Sequence, residues 1–116
     1  MGSLAPKDYV VRATPGADFG FPSCNWVVPA ACGRFTKPFA FFPPHASPMG
    51  LATVGGRLYV ALYGGVGAGP EVIRMPVGGG RSVPFATGFT QPVLAVGEHR
   101  SFIYTGDLSG AIYRVG

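Results

Sequence analysis

The chain has 116 residues, of which 19 are Gly and 12 are Pro. So many helix breakers exclude a mostly helical fold, and a hydrophobic share of 47% against 12% charged residues excludes an intrinsically disordered chain. Nine Lys and Arg against five Asp and Glu give a formal net charge of +4. The cations stand singly along the chain, without the basic stripe that neutralises phosphates, so nucleic acid is not an expected partner.

What remains is an all-β chain of short strands joined by Gly/Pro turns, at most one domain in length. The start, Met1 to Val11, lacks a charged segment followed by an apolar run and does not read as a signal peptide. No run approaches the ~18 apolar residues of a membrane span. The first strand is expected over Lys7–Thr14, where DYVVRAT is β-branched and alternating.

Two cysteines follow, Cys24 and Cys32, in FPSCNWVVPAACGRF. Structural zinc needs about four ligands, and the two histidines are isolated, so no metal site is assigned. A short-loop disulfide between Cys24 and Cys32 is expected, and it implies an oxidising compartment, periplasmic or extracellular. Two buried free thiols are the alternative. A strand over Lys37–Phe42 comes next, and His45, between Pro44 and Ala46, precedes a further strand.

The second half carries an internal repeat. Leu58-Tyr59-Val60-Ala61 matches Phe102-Ile103-Tyr104-Thr105 at an offset of 102 − 58 = 44. Leu51–Gly55 matches Leu94–Gly97 with a one-residue adjustment, and Ile73-Arg74 matches Tyr113-Arg114 at an offset of 113 − 73 = 40. Several short strands per period of about 40–45 residues is the pattern of a β-propeller blade. The first unit reads as strands over Gly50–Val54, Arg57–Tyr63, Glu71–Val77 and Ser82–Phe89, with Gly55-Gly56 as the first hairpin turn. The second offers Pro92–Gly97, Ser101–Asp107 and Gly110–Val115, without a fourth strand.

Lys7–Thr14 either completes that last blade or pairs with Lys37–Phe42 as the remainder of an earlier one; the second reading is preferred. The expected organisation is thus about two and a half antiparallel four-stranded blades of a β-propeller. Residues 1–47 form an incomplete blade with the cysteine loop, 48–90 a full blade and 91–116 an incomplete last blade. Fewer than three repeats seldom bury their faces, so the chain is expected to be a homo-oligomer or part of a larger propeller.

Candidate sites are few. His45 precedes an inner strand and Asp107 closes a strand before the tight turn GDLSG, so both are axial-face candidates. Each also has a local role available, His45 in ordering HASP and Asp107 in bonding the backbone two residues on. GGVGAG and GGG precede Pro70 and Arg81 rather than Lys-Ser/Thr on a helix, so they read as turns, not phosphate loops. His99 is expected to face solvent. Phe35, Phe39, Phe41, Phe42, Phe85 and Phe89 are expected to pack between blades rather than to line a sugar platform. No activated serine and no carboxylate pair with glycosidase spacing is assignable.

From Asp8 to Val115 the chain resembles the C-terminal third of glucose/sorbosone dehydrogenase-like propellers, particularly the bacterial L-sorbosone dehydrogenase type. The resemblance rests on GADFGFPSCNW, PPHASPMGLA, RLYVALYG and GDLSGAIYRV, with Gly16, Gly20 and Pro22 and then His45, Pro48 and Gly50 in matching order and spacing. It implies a six-bladed propeller that oxidises a sugar with pyrroloquinoline quinone, an anionic tricarboxylate held by converging Arg and Lys side chains. It also implies a catalytic His supplied by earlier blades, so no catalytic residue is assigned within this chain. The stretch where the family places a cationic contact, Leu62–Pro70, reads LYGGVGAGP and holds no Lys or Arg. The alternatives are a non-catalytic module binding carbohydrate or a protein partner, or a self-assembling structural propeller fragment.

Overall fold

A computed structural model describes residues 7–27, 29–67 and 69–116. The segment 1–6, part of the stretch read for a leader, lies outside the described residues. The described residues form antiparallel sheets of two, four and three strands and no α-helix. They divide into two compact units, Met1–Pro44 and His45–Gly116.

In the first unit, β1 (Asp8–Val10) pairs with β2 (Ala40–Phe42), and the Phe39 N–H donates to the Val10 carbonyl at 2.8 Å. Lys7–Thr14 is therefore the partner of Lys37–Phe42 in a sheet of its own and not a fourth strand beside the last hairpin. The strand is shorter than expected because the chain turns at Thr14, whose carbonyl accepts from the Ala17 N–H at 3.1 Å. The long connection is stapled by a Cys24–Cys32 disulfide, Cα–Cα 5.5 Å, with a short 3₁₀ turn over Pro29–Cys32. Trp26 is buried against it and donates its indole N–H to the Phe19 carbonyl at 2.8 Å. Tyr9, Phe35 and Phe41 close this small core.

In the second unit, β3 (Pro48–Val54), β4 (Arg57–Leu62), β5 (Glu71–Pro76) and β6 (Val83–Ala86) form a four-stranded meander. β7 (Val93–His99), β8 (Phe102–Asp107) and β9 (Ile112–Arg114) form a three-stranded one. Burial alternates along β3, the sign of a strand with one covered face, whereas Leu58 to Leu62 are all buried, which makes β4 central. β6 is shorter than the sequence suggests; Pro84 donates nothing to a ladder and stands on the outer strand, where such a residue is tolerated.

The two sheets are copies in register. Arg57–Leu62 and Phe102–Asp107 occupy the same positions at an offset of 102 − 57 = 45, one more than the sequence match suggests. Tyr104 is therefore the counterpart of Tyr59, and both lie opposite an arginine, Arg74 on β5 and Arg114 on β9. Even the irregularities repeat. The register slips between Pro48 and Gly50 in one sheet and between Val93 and Ala95 in the other.

The sheets meet through their first strands. Tyr59, Ala61 and Val72 of the four-stranded sheet share a core with Val93, Val96 and Ile103 of the three-stranded one. Each fully buried Val or Ile in such a contact contributes about 1.5–3 kcal/mol. Gly50 makes the approach close: a Cβ there would stand 3.1 Å from the Val96 nitrogen and 3.3 Å from the Ala95 Cα.

Candidate functional site

In the four-stranded sheet, Pro48, Leu62, Glu71 and Ala86 all lie at one end of their strands. In the three-stranded sheet Val93 and Asp107 do the same, and the link 87–92 joins the sheets at that end. Four loop segments of the second unit therefore share one rim: 45–47, the described residues 63–67 and 69–70, 87–92 and 108–111. The rim carries His45 and Asp107, with Glu71 at its edge.

Backbone hydrogen bonds knit the rim in matching fashion. The Tyr63 N–H donates to the Ser47 carbonyl at 3.0 Å, and the Leu108 N–H, 45 residues on (108 − 63), donates to the Pro92 carbonyl at 2.9 Å. His45 and Ser47 hold positive φ of 68° and 52°, a conformation that costs a non-glycine residue about 1–3 kcal/mol. The backbone bond from the Gly64 N–H to the Ala46 carbonyl at 3.0 Å fixes the segment, and buried Ala46 anchors it. The His45 side chain is exposed. His99 is exposed too, at the far end of β7.

Asp107 is only 7% exposed, and its carboxylate organises the turn after β8. Oδ1 accepts from the Ser109 hydroxyl at 2.5 Å, the Ser109 N–H at 2.9 Å and the Ala111 N–H at 3.3 Å; Oδ2 accepts from the Tyr113 hydroxyl at 3.2 Å. The Ser109 hydroxyl, above all, and then the backbone and Tyr113 donors hold its pKa below the ordinary carboxylate value against the opposing effect of burial. The same bond to Asp107, followed by the carboxylate's charge and burial, raises the Tyr113 phenol.

Glu71 escapes the sequence reading. It is 1% exposed, and its Oε2 accepts from the Val66 N–H at 3.0 Å, pinning the glycine-rich loop above β4 and β5. A carboxylate placed directly after GGVGAGP is the one sequence signal of that role. The two equivalent loops are thus each organised by a carboxylate, Glu71 reaching back and Asp107 reaching forward.

Both acids are engaged by their own loops, so neither stands as a general base beside a nucleophile. Among the described residues no group of three His, Cys, Asp or Glu side chains is placed to hold a metal ion. The surfaces the rim does present are apolar: Tyr63 is 39% exposed, Val66 43% and Leu108 54%. The phenylalanines divide between the cores, Phe35 and Phe41 in the first unit, Phe85 and Phe89 in the second.

Charge is segregated along the strands. Arg57, Arg81 and Arg100 lie at the end opposite the rim. Arg74, in the middle of β5, stacks on Phe85 at 5.4 Å, and Arg114, at the end of β9, stacks on Phe102 at 4.8 Å. The four rim segments contain no Lys or Arg. No family model, curated protein or solved structure matches the chain.

Proposed function

We propose that the chain is a run of consecutive β-propeller blades of the glucose/sorbosone dehydrogenase type that supplies scaffold and rim loops but not the catalytic centre. The observation that carries this reading is the repeat: a four-stranded and a three-stranded meander, in register at 45 residues in their first two strands, stacked through those first strands with Gly50 against Ala95 and Val96. Wedge-on-wedge contact through the innermost strands is how propeller blades bury their faces. The disulfide suits the oxidising compartment such an enzyme occupies, and no helix among the described residues is long and apolar enough to cross a membrane.

The residues of the rim do not fit pyrroloquinoline quinone. A tricarboxylate needs converging cations, whereas the rim segments hold none and two carboxylates border them. In this reading the quinone and the hydride chemistry belong to other blades. Titration of the chain with the quinone, followed by absorbance and by sugar-dependent dye reduction, is expected to give flat responses in both. Saturable quinone uptake with sugar-dependent reduction overturns the scaffold assignment.

A second reading, a non-catalytic module whose rim binds carbohydrate or a protein, is favoured by exposed Tyr63, Val66 and Leu108. Chemical-shift changes confined to these residues on adding neutral oligosaccharides are the expected sign. Their absence removes carbohydrate from consideration.

A further inference from the structure

The nine Lys and Arg residues stand singly in the sequence, and the fold sorts them into two kinds. Lys7, Arg12, Arg34, Arg74 and Arg114 each lie over an aromatic ring, between 4.7 and 5.9 Å from its centroid. Those five pack against rings of their own unit. Arg57, Arg81 and Arg100 are different. All three are exposed, and their guanidinium groups have no carboxylate, hydrogen-bond or ring partner among the described residues.

The topology brings these three to one end of the second unit. β3 and β7 both run away from the rim and pack side by side, so the turns that follow them, at 55–56 and 100–101, share the opposite end. The connection 77–82 returns to that end from β5, and its Val77 N–H donates to the Gly56 carbonyl at 3.0 Å. Arg57, Arg81 and Arg100 therefore stand at three neighbouring turns, with exposed His99 among them. Glu98 is the one carboxylate there, and its Oε2 already accepts from the Ser101 N–H at 2.9 Å. The second unit is polarised: unpaired cations gather at one end, while Glu71 and Asp107 border the other, whose loops hold no Lys or Arg.

What these turns are made of narrows the partner. Gly55, Gly56, Gly78, Gly79, Gly80, Ser82 and Ser101 build most of them, and no large exposed hydrophobic residue lies within 55–56, 77–82 or 100–101. The nearest, Val83 and Phe102, begin the strands behind the turns, and Arg114 lies over the Phe102 ring. A protein interface needs an apolar centre with anchoring side chains, and an interfacial membrane site needs apolar groups that enter the lipid. Unpaired arginines on glycine turns suit an extended polyanion, read by charge and bidentate hydrogen bonding. The Cys24–Cys32 disulfide suits an oxidising compartment, where polysaccharide rather than nucleic acid supplies such a chain.

We propose that the end of the second unit carrying Arg57, Arg81 and Arg100 binds an acidic polysaccharide through its carboxylate or sulfate groups. This surface lies opposite the rim, so the proposal is independent of both the quinone and the neutral-sugar readings.

Isothermal titration of the full chain with polygalacturonate and with dextran sulfate at low salt tests it, with neutral dextran as the blank. Saturable binding to at least one acidic polymer is expected, the two arms separating carboxylate from sulfate recognition, and the affinity is expected to fall as sodium chloride is added. Arg57→Gln, Arg81→Gln and Arg100→Gln are each expected to weaken binding by roughly 2–5-fold. The triple variant is expected to bind no better than the blank while keeping the parent's circular dichroism spectrum. Lys7→Gln/Lys37→Gln removes the same charge from the first unit as Arg57→Gln/Arg100→Gln removes from the second, and it is expected to bind as the parent does. No binding to either acidic polymer, equal losses in the two double variants, or equal binding to neutral dextran each overturns the proposal. So does tighter binding to phosphatidylglycerol vesicles or single-stranded DNA than to the acidic polymers.

Discussion

Replacing Gly50 by valine is expected to force the two sheets of the second unit apart. The Cβ alone would lie 3.1 Å from the Val96 nitrogen and 3.3 Å from the Ala95 Cα, with the Ala95 carbonyl carbon at 3.5 Å. These are backbone atoms held in a ladder, so they cannot swing aside as a side-chain tip would. Overpacking a tight core costs about 1–3 kcal/mol, and valine against backbone belongs at the top of that range. Removing a strand glycine returns about 0.5–1 kcal/mol of conformational entropy. The net loss for Gly50→Val is then roughly 2 kcal/mol, while Gly50→Ala lies near balance. For a domain of about 60–100 residues each 1 kcal/mol shifts the melting midpoint by roughly 4–8 °C, so the valine variant is expected to melt about 8–16 °C early. Gly97→Ala is the control. Its Cβ enters open space, so at concentrations where the chain is monomeric it is expected to stabilise by about 0.5–1 kcal/mol. Thermal and urea unfolding followed by circular dichroism read both. A Gly50→Val variant that melts with the parent, or two glycine variants that shift in the same direction, refutes the close first-strand contact.

Three further outcomes follow from local structure. Arg100 and Ser101 make the β7–β8 turn with positive φ of 51° and 67°, where the equivalent turn has Gly55-Gly56; Ser101→Gly is expected to stabilise by about 1 kcal/mol in urea unfolding, and the Ser101 N–H bond to Glu98 at 2.9 Å survives the change. Asp107 has a depressed pKa, so the stability it contributes is present above the ordinary carboxylate pKa and is lost as pH falls through the lowered one. Tyr113 has a raised pKa, so its contribution is full below the ordinary phenol value and is lost as pH rises through the raised one; Asp107→Asn is expected to flatten both limbs of the stability–pH curve. The disulfide closes a short loop of sequence separation 8, for which chain entropy gives roughly 2.5 kcal/mol. The Cys24→Ser/Cys32→Ser pair is expected to lose about that much in the unfolding transition of Trp26, the chain's single tryptophan, buried beside the bond.

The strands of the second unit were legible because glycine pairs and β-branched runs punctuate them. The offset was harder. Arg100-Ser101 performs a glycine turn without glycine, so an eye led by composition places the following strand one residue early and aligns Leu58 with Phe102. Only the ladder shows that Arg57 and Phe102 correspond. Lys7–Thr14 and Ser82–Phe89 have strand composition throughout, yet they pair over three and four residues, since a ladder extends only as far as its partner and a proline allow. Asp107 was legible as a turn residue because the Asx bond is local. Glu71 was not, because its burial depends on a loop folding back over it, which no neighbouring residue announces.

The most direct test of the stacked-repeat account is a nuclear Overhauser spectrum of the labelled chain, read at Gly50. Strong cross-peaks from the Gly50 α-protons to the Val96 amide and the Ala95 α-proton are predicted, since the backbones approach closely there. A Gly50 whose cross-peaks reach only its own β4 neighbours, with Ala95 and Val96 contacting nothing from β3, contradicts it.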